Sequence, residues 1–319
     1  MNRARLPADI VLAANRIKEH VRETPLEFSP AFSEATGAKV WMKLENLQLT
    51  GSFKLRGAFN KLLTMSDEER GHGGVAASSG NHGAAIAFAM SKLGVDGVIF
   101  VPEKTSAAKV DSIRRFGGDV RFFGTDGLDT EMHARAYADE HGMVYLSPYN
   151  DAAVIAGQGS CGFEISRQLP EIDAVYIAVG GGGLISGVGT ILRTIKRDIR
   201  IVSCQPSASA VMTESVRAGK IVDMPSQPTL SDGTAGGIEA DAMTFEICRD
   251  VISDYIVVSE DEIAEAMRQF IDSHHMMIEG AAGVALAGIQ ADKESIEGKN
   301  AVVLVCGGNI SRETLRKII

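Results

Sequence analysis

A chain of 319 residues, 45% hydrophobic and 23% charged, has material for a sizeable core and for more than one domain. Its net charge of −9 argues against a nucleic-acid partner, which would need a basic face, and no apolar run approaches the ~18 residues of a membrane-crossing helix. The four scattered cysteines include no C-x-x-C pair, which disfavours a zinc ribbon, and the N-terminus lacks an apolar export signal, so a cytoplasmic protein with reduced thiols is expected.

In chain order, Ile10, Ala13, Ala14, Ile17 and Val21 follow helical spacing, with Pro7 near the start, where a first-turn proline is tolerated. Short β-rich runs predict strands at 40–44, 75–77, 98–101, 120–123, 144–146, 174–179, 201–204, 255–258 and 301–305. Helical patterns lie between them at 84–93, 107–116, 130–141, 187–195 and 260–273. Several strands are continuously apolar, as strands covered on both faces are. This alternation predicts an α/β protein with mostly parallel sheets. The four strands within 67–146 read as a small domain, with 1–66 and 147–319 forming a larger, discontinuous one.

Four segments have the composition of a ligand site. In Gly51-Ser52-Phe53-Lys54, Ser52 is placed to cap a helix with Lys54 in its first turn. A lysine there sits at the positive end of the helix, which favours the neutral, nucleophilic amine, although an exposed surface lysine gives the same pattern. Ala77-Ser78-Ser79-Gly80-Asn81-His82-Gly83 joins a strand to a helix, and its hydroxyls and amide suit an anion as well as they suit a capped turn. His82 reads there as a structural histidine rather than a base. Val179-Gly180-Gly181-Gly182-Gly183-Leu184 also joins strand to helix. Four successive glycines are entropically expensive, and they free N–H groups to converge on a phosphate. The run matches neither G-x-G-x-x-G nor a P-loop. Finally, Cys306 ends the last apolar strand, where ligands bind in open α/β sheets, though a small buried cysteine is common.

Together, KLENLQLTGSFKLRGA, SSGNHG, VIAGQG, VGGGGLISG, VVSEDEI and CGGN span nearly the whole chain in one order. In that order they resemble the fold-type II pyridoxal-phosphate enzymes, most nearly the threonine/serine dehydratase and serine racemase group. The resemblance implies two three-layer open-sheet domains of the tryptophan synthase β type, pyridoxal 5'-phosphate as cofactor and a homodimer. It implies Lys54 as Schiff-base lysine and general base, Phe53 beside the cofactor ring and Asn81 on the ring hydroxyl. Gly180, Gly181, Gly182, Gly183 and the N–H of Leu184 would hold the phosphate, and Cys306 would face the pyridine nitrogen. Ser78, Ser79, Gly80 and His82, with Gly236, would surround a small amino-acid substrate, and Ser79 would act on the face opposite Lys54.

Departures from the family pattern shape the expected activity. The divalent-cation ligands of the racemases are replaced by Gln205 and Val211, so no metal is expected. The loop Asp232-Gly233-Thr234-Ala235-Gly236-Gly237 carries glycines where the racemases carry serines, leaving room for a larger or charged β-substituent. The chain ends 10 residues after Asn309, so a C-terminal regulatory domain and isoleucine feedback are not expected. The leading expectation is an ammonia-lyase that removes water from threonine, serine or a related β-hydroxy amino acid. An amino-acid racemase is the alternative, and a non-catalytic binding protein is the reading of another class. Glu279 receives no role from sequence.

Overall fold

The computed structural model describes residues 2–319. Its ten strands are β1 (Leu26–Phe28), β2 (Lys39–Leu44), β3 (Gly74–Ala77), β4 (Gly97–Val101), β5 (Asp119–Phe122), β6 (Val144–Tyr145), β7 (Ala174–Ala178), β8 (Arg200–Pro206), β9 (Asp254–Val258) and β10 (Asn300–Val305). They form two open sheets. The larger has the order β1-β2-β10-β7-β8-β9, the smaller β5-β4-β3-β6. Every pairing is parallel except β1 with β2.

The central strands explain why the apolar runs were readable. Ala301 to Val305 in β10 and Ala174 to Ile177 in β7 are fully buried, because helices cover both faces. Helix Gly280–Ala291 lies against β7, β8, β9 and β10 and is backed by Glu260–His274. On the other side Gly183–Ile195 lies against β7 and β8, with Ala152–Gln168 and Leu6–Ile17 packed on it. The smaller sheet carries Asn81–Leu93 and Gly127–His141.

Helix Lys54–Thr64 packs against both Asn81–Leu93 and Ala152–Gln168, and so stands between the two sheets. Its Leu55, Ala58, Phe59 and Leu62 are buried in one core with Ile86, Ile99 and Leu146. Each large apolar side chain so buried contributes about 1.5–3 kcal/mol relative to exposure. The opposite side of this helix is tied down by charge. Arg56 donates to Glu45 Oε1 and Oε2 at 2.7 and 2.8 Å and to Glu164 Oε1 at 2.6 Å. Lys43, from β2, donates to Glu164 Oε2 at 2.6 Å. Burial, the largest single influence, raises the Glu45 carboxyl, but the charge and hydrogen bonds of Arg56 together with Lys43 and Thr24 hold it below the usual carboxylate range.

Some expected boundaries move. The first helix stops at Ile17, leaving Val21 outside it. Strand β1 is three residues long and antiparallel, too short for a periodic signal. Three helices begin earlier than expected, at Asn81, Gly127 and Gly183, because their glycine-rich first turns lack apolar periodicity. Ser52 does not cap the helix of Lys54. The cap position is Phe53, without a side-chain bond, and Ser52 is drawn into an antiparallel bridge with Gly307.

Candidate active site

A cavity of about 640 Å³ opens between the sheets, lined from the carboxyl ends of β3, β4, β6, β7 and β10. Parallel strands leave such a crevice where the chain turns from strand to helix. Phe53, Lys54, Ser78, Ser79, Gly80, Asn81, His82, Gly180 to Gly183, Leu184 and Cys306 all line it. Residues as far apart as Lys54 and Cys306, 252 positions, thus share one chamber.

Lys54 is held there by backbone pairing. Phe53 N–H donates to the Cys306 carbonyl at 3.1 Å, and Gly308 N–H to the Gly51 carbonyl at 2.9 Å, so the segment before Lys54 is docked on the end of β10. The ammonium donates to the Pro148 carbonyl at 2.9 Å and lies 5.2 Å from the centre of the Phe53 ring. Burial pushes Lys54 down from 10.5 to about 8, and the neighbouring Cys306 and Glu279 only partly oppose this. A neutral amine is therefore accessible near physiological pH.

The turn after β3 is shaped for an anion. Gly80 N–H donates to Ser78 Oγ at 3.2 Å, and the helix then starts at Asn81 with its first N–H groups free of helical partners. A Cβ at Gly83 would lie 2.2 Å from the Ser78 carbonyl, so only glycine lets this turn close. His82 Nε2 contacts the Leu146 carbonyl at 2.7 Å, and burial takes the ring down to about 3. It stays neutral and braces the turn.

The glycine run after β7 forms the opposite wall. Gly182 adopts φ +86° and precedes helix Gly183–Ile195, so the N-terminal N–H groups of that helix face the cavity. A Cβ at Gly181 would come within 2.5 Å of the Tyr149 ring. Packing thus demands glycine here in addition to any ligand. A cradle of N–H groups without side chains fits a phosphate, and a depressed lysine amine across the cavity fits an aldehyde. The residues present therefore fit pyridoxal phosphate.

Two features depart from the sequence reading. Gly236 is not among the lining residues; Asp232, Gly233, Thr234 and Ala235 line the cavity instead, while Gly236 N–H bonds Ser226 Oγ at 3.1 Å. Glu279, without a role in the sequence, lies at the centre of the site. It accepts two bonds from Asn81 Nδ2 at 2.8 and 2.9 Å and one from Asn309 N–H at 3.2 Å, and Cys306 Sγ is 4.0 Å away. Burial raises its carboxyl to about 7 against the lowering effect of Asn81. A lone glutamate before a glycine-rich helix gave no hint of this, since its partners come from distant segments.

Gln205, at the position of the absent cation ligand, is already satisfied. Its Nε2 donates to the Val179 carbonyl at 3.1 Å, and its Oε1 accepts from Thr213 N–H and Oγ1 at 2.8 and 2.7 Å. A neutral amide joins the end of β7, just before the glycine run, to helix Val211–Ala218.

An open parallel-sheet fold with a phosphate cradle facing a lysine of lowered basicity defines a cofactor-dependent enzyme class. The family model described as "Pyridoxal-phosphate dependent enzyme" matches residues 17–307, and the chain belongs to that family. It is 36% identical to the L-threonine ammonia-lyase of Thermotoga maritima, over 98% of this chain and 77% of that protein. It is 34% identical to the catabolic L-threonine dehydratase TdcB of Escherichia coli K12, over 97% of this chain and 94% of that protein. The processed threonine deaminase isoform 2 of Solanum lycopersicum superposes with a TM-score of 0.95 at 34% identity, covering 99% of this chain and 92% of that one. Maize serine racemase superposes with a TM-score of 0.92 at 32% identity, covering 97% and 95%.

Proposed function

We propose that the protein is a pyridoxal-phosphate-dependent ammonia-lyase that removes water from a β-hydroxy α-amino acid of the threonine and serine type, giving a keto acid and ammonia. The observation that carries this reading is the meeting of Lys54, the Ser78–Asn81 turn and the Gly180–Gly183 cradle in one cavity. Gly180 to Gly183 and Leu184 would hold the cofactor phosphate, and Phe53, Asn81 and Cys306, which line the same cavity, would surround its ring. When bound, the cofactor supplies an electron sink at the substrate α-carbon.

Ser78, Ser79 and Gly80 bind the substrate carboxylate and thereby orient the α-C–H towards Lys54. Lys54 takes the α-proton at Nζ, a task suited to an amine near 8. Burial raises the Cys306 thiol well above its ordinary value, so it stays protonated. A thiol is only a weak hydrogen-bond donor and would leave the ring nitrogen of a bound cofactor neutral. The cofactor so placed would supply a weaker electron sink, which suits loss of the β-hydroxyl rather than transamination. On the same reading the chain is a cytoplasmic homodimer of amino-acid metabolism, with residues 67–146 as its small domain.

A racemase reading keeps one specific support: Ser79 lines the cavity with Lys54 and offers a second proton-handling group. Incubating the holoenzyme with L-threonine and L-serine separates the two, since a lyase releases keto acid and a racemase gives the inverted amino acid. In Lys54→Ala protein, borohydride should no longer fix the cofactor to the chain, and keto-acid release should fall by at least about a thousandfold. Full activity in that variant would overturn the assignment.

A further inference from the structure

Asn309 joins three parts of the chain that meet at the cavity. It follows β10 and lines the chamber with Asn81, Glu279 and Cys306. Its Nδ2 donates to the Thr50 carbonyl at 2.9 Å and to Asn81 Oδ1 at 2.7 Å. Its backbone N–H donates to Glu279 Oε2 at 3.2 Å. The docking is close: Gly51 has φ +76°, and a Cβ there would lie 2.6 Å from Asn309 Oδ1. The segment that carries Lys54, the turn after β3 of the small sheet and the start of helix Gly280–Ala291 thus lean on one residue.

The polarity of these bonds is fixed from one end. A peptide carbonyl can only accept, so the Thr50 carbonyl requires the NH2 edge of Asn309. The second hydrogen of that edge goes to Asn81 and requires oxygen there. Asn81 must then turn its own NH2 edge to Glu279, where Nδ2 lies 2.8 and 2.9 Å from the two carboxylate oxygens. The opposite orientation of Asn81 would set nitrogen against nitrogen at Asn309 and oxygen against oxygen at Glu279.

We propose that Asn309 is a positioning residue of the cofactor site: by fixing the Asn81 amide it holds that residue's donor edge on Glu279, and through Glu279 it acts on Lys54. Burial raises Glu279 to about 7; the Asn81 bonds oppose this most, helped by the Asn309 N–H and Lys54, while Asp232 adds to the rise. Burial lowers Lys54, against Cys306 and Glu279. Loosening the Asn81 amide therefore raises Glu279 further and, by leaving it neutral, lowers Lys54. A general opening of the site does the reverse, since water returns Glu279 towards 4.5 and Lys54 towards 10.5.

The test uses the full chain with Asn309→Leu, which keeps a branched side chain without polar atoms, and Asn309→Ser, which keeps one donor. Infrared difference spectroscopy of the apoprotein titrates the Glu279 carboxyl, assigned by its loss in Glu279→Gln. Stopped-flow mixing with pyridoxal phosphate gives the pH midpoint of capture by Lys54. In Asn309→Leu we expect Glu279 to rise by about one pH unit and the capture midpoint to fall, with Asn309→Ser in between. In a Glu279→Gln background, Asn309→Leu should leave the capture midpoint in place, because its effect runs through Glu279. A fall of Glu279 with a rise of Lys54 would mean that Asn309 only keeps water out. That result, unmoved midpoints, or an equal shift with and without the Glu279 carboxyl would each overturn the proposal. The inference rests on Lys54 as the amine that takes the cofactor. Wild-type protein that captured none through Lys54 would sink that reading of the site, and the Glu279 titration would still decide the part played by Asn309.

Discussion

The Lys54 amine and the Glu279 carboxyl are perturbed in opposite directions by one cause, burial in the same chamber, which brings them to about 8 and about 7. Only the neutral amine attacks an aldehyde. Cofactor capture by the apoprotein should therefore speed up as pH rises through about 8 and level off above it. Glu279 raises Lys54 by its charge, so Glu279→Gln removes a stabiliser of the ammonium and should move the midpoint to lower pH. Stopped-flow absorbance after mixing apoprotein with pyridoxal phosphate reads both. A midpoint near the ordinary 10.5, or an upward shift in Glu279→Gln, would contradict the geometry. The ordered set of segments and the family they resemble, rather than residue identity alone, singled out Lys54 and Asn81. It could not show that the Asn81 amide is engaged by Glu279, 198 positions away.

At the scale of elements, legibility followed burial symmetry. Strands β7 and β10, covered on both faces, are continuous apolar runs, whereas β1 is a three-residue edge strand with no such run. Helix Lys54–Thr64 was readable as a helix, but its anchoring was not. In LENLQLTGSFKLRGA, Glu45 and Arg56 look like solvated charges. They are buried because Arg56 closes on Glu45 at a separation of 11 and on Glu164 at 108. Deleting one partner of such a cluster leaves buried charge without a counter-ion. Arg56→Met should therefore cost about 3–5 kcal/mol in urea unfolding of the apoprotein. Adding Glu45→Gln to that variant should recover part of the loss, because one stranded carboxylate is removed. A loss under about 1 kcal/mol would mean that packing, rather than the charge cluster, holds the helix that carries Lys54.

Across the whole molecule, the candidate cofactor contacts are divided between the two sheets. Asn81 follows β3 of the small sheet, Gly180 to Gly183 and Cys306 follow β7 and β10 of the large one, and Lys54 begins the helix between them. Ion pairs also join the halves, Lys109–Asp232 at the cavity and Arg135–Glu239 outside its lining. Exposed pairs of this kind contribute at most about 1 kcal/mol each. A ligand gripped from both sides binds the closed native arrangement and not the unfolded chain, so it stabilises by mass action, about 2.7 kcal/mol at a hundredfold excess over Kd. Reconstitution with pyridoxal phosphate should therefore raise Tm by several degrees and draw the unfolding of both sheets into one sharper transition. Lys54→Ala protein, which keeps the cradle but cannot form the covalent link, should show a smaller rise under the same conditions. Calorimetry of apoprotein, holoprotein and variant measures this. An equal rise with and without the Lys54 amine would show that the cradle alone provides the stabilisation, and that the lysine contributes to chemistry but not to joining the two halves.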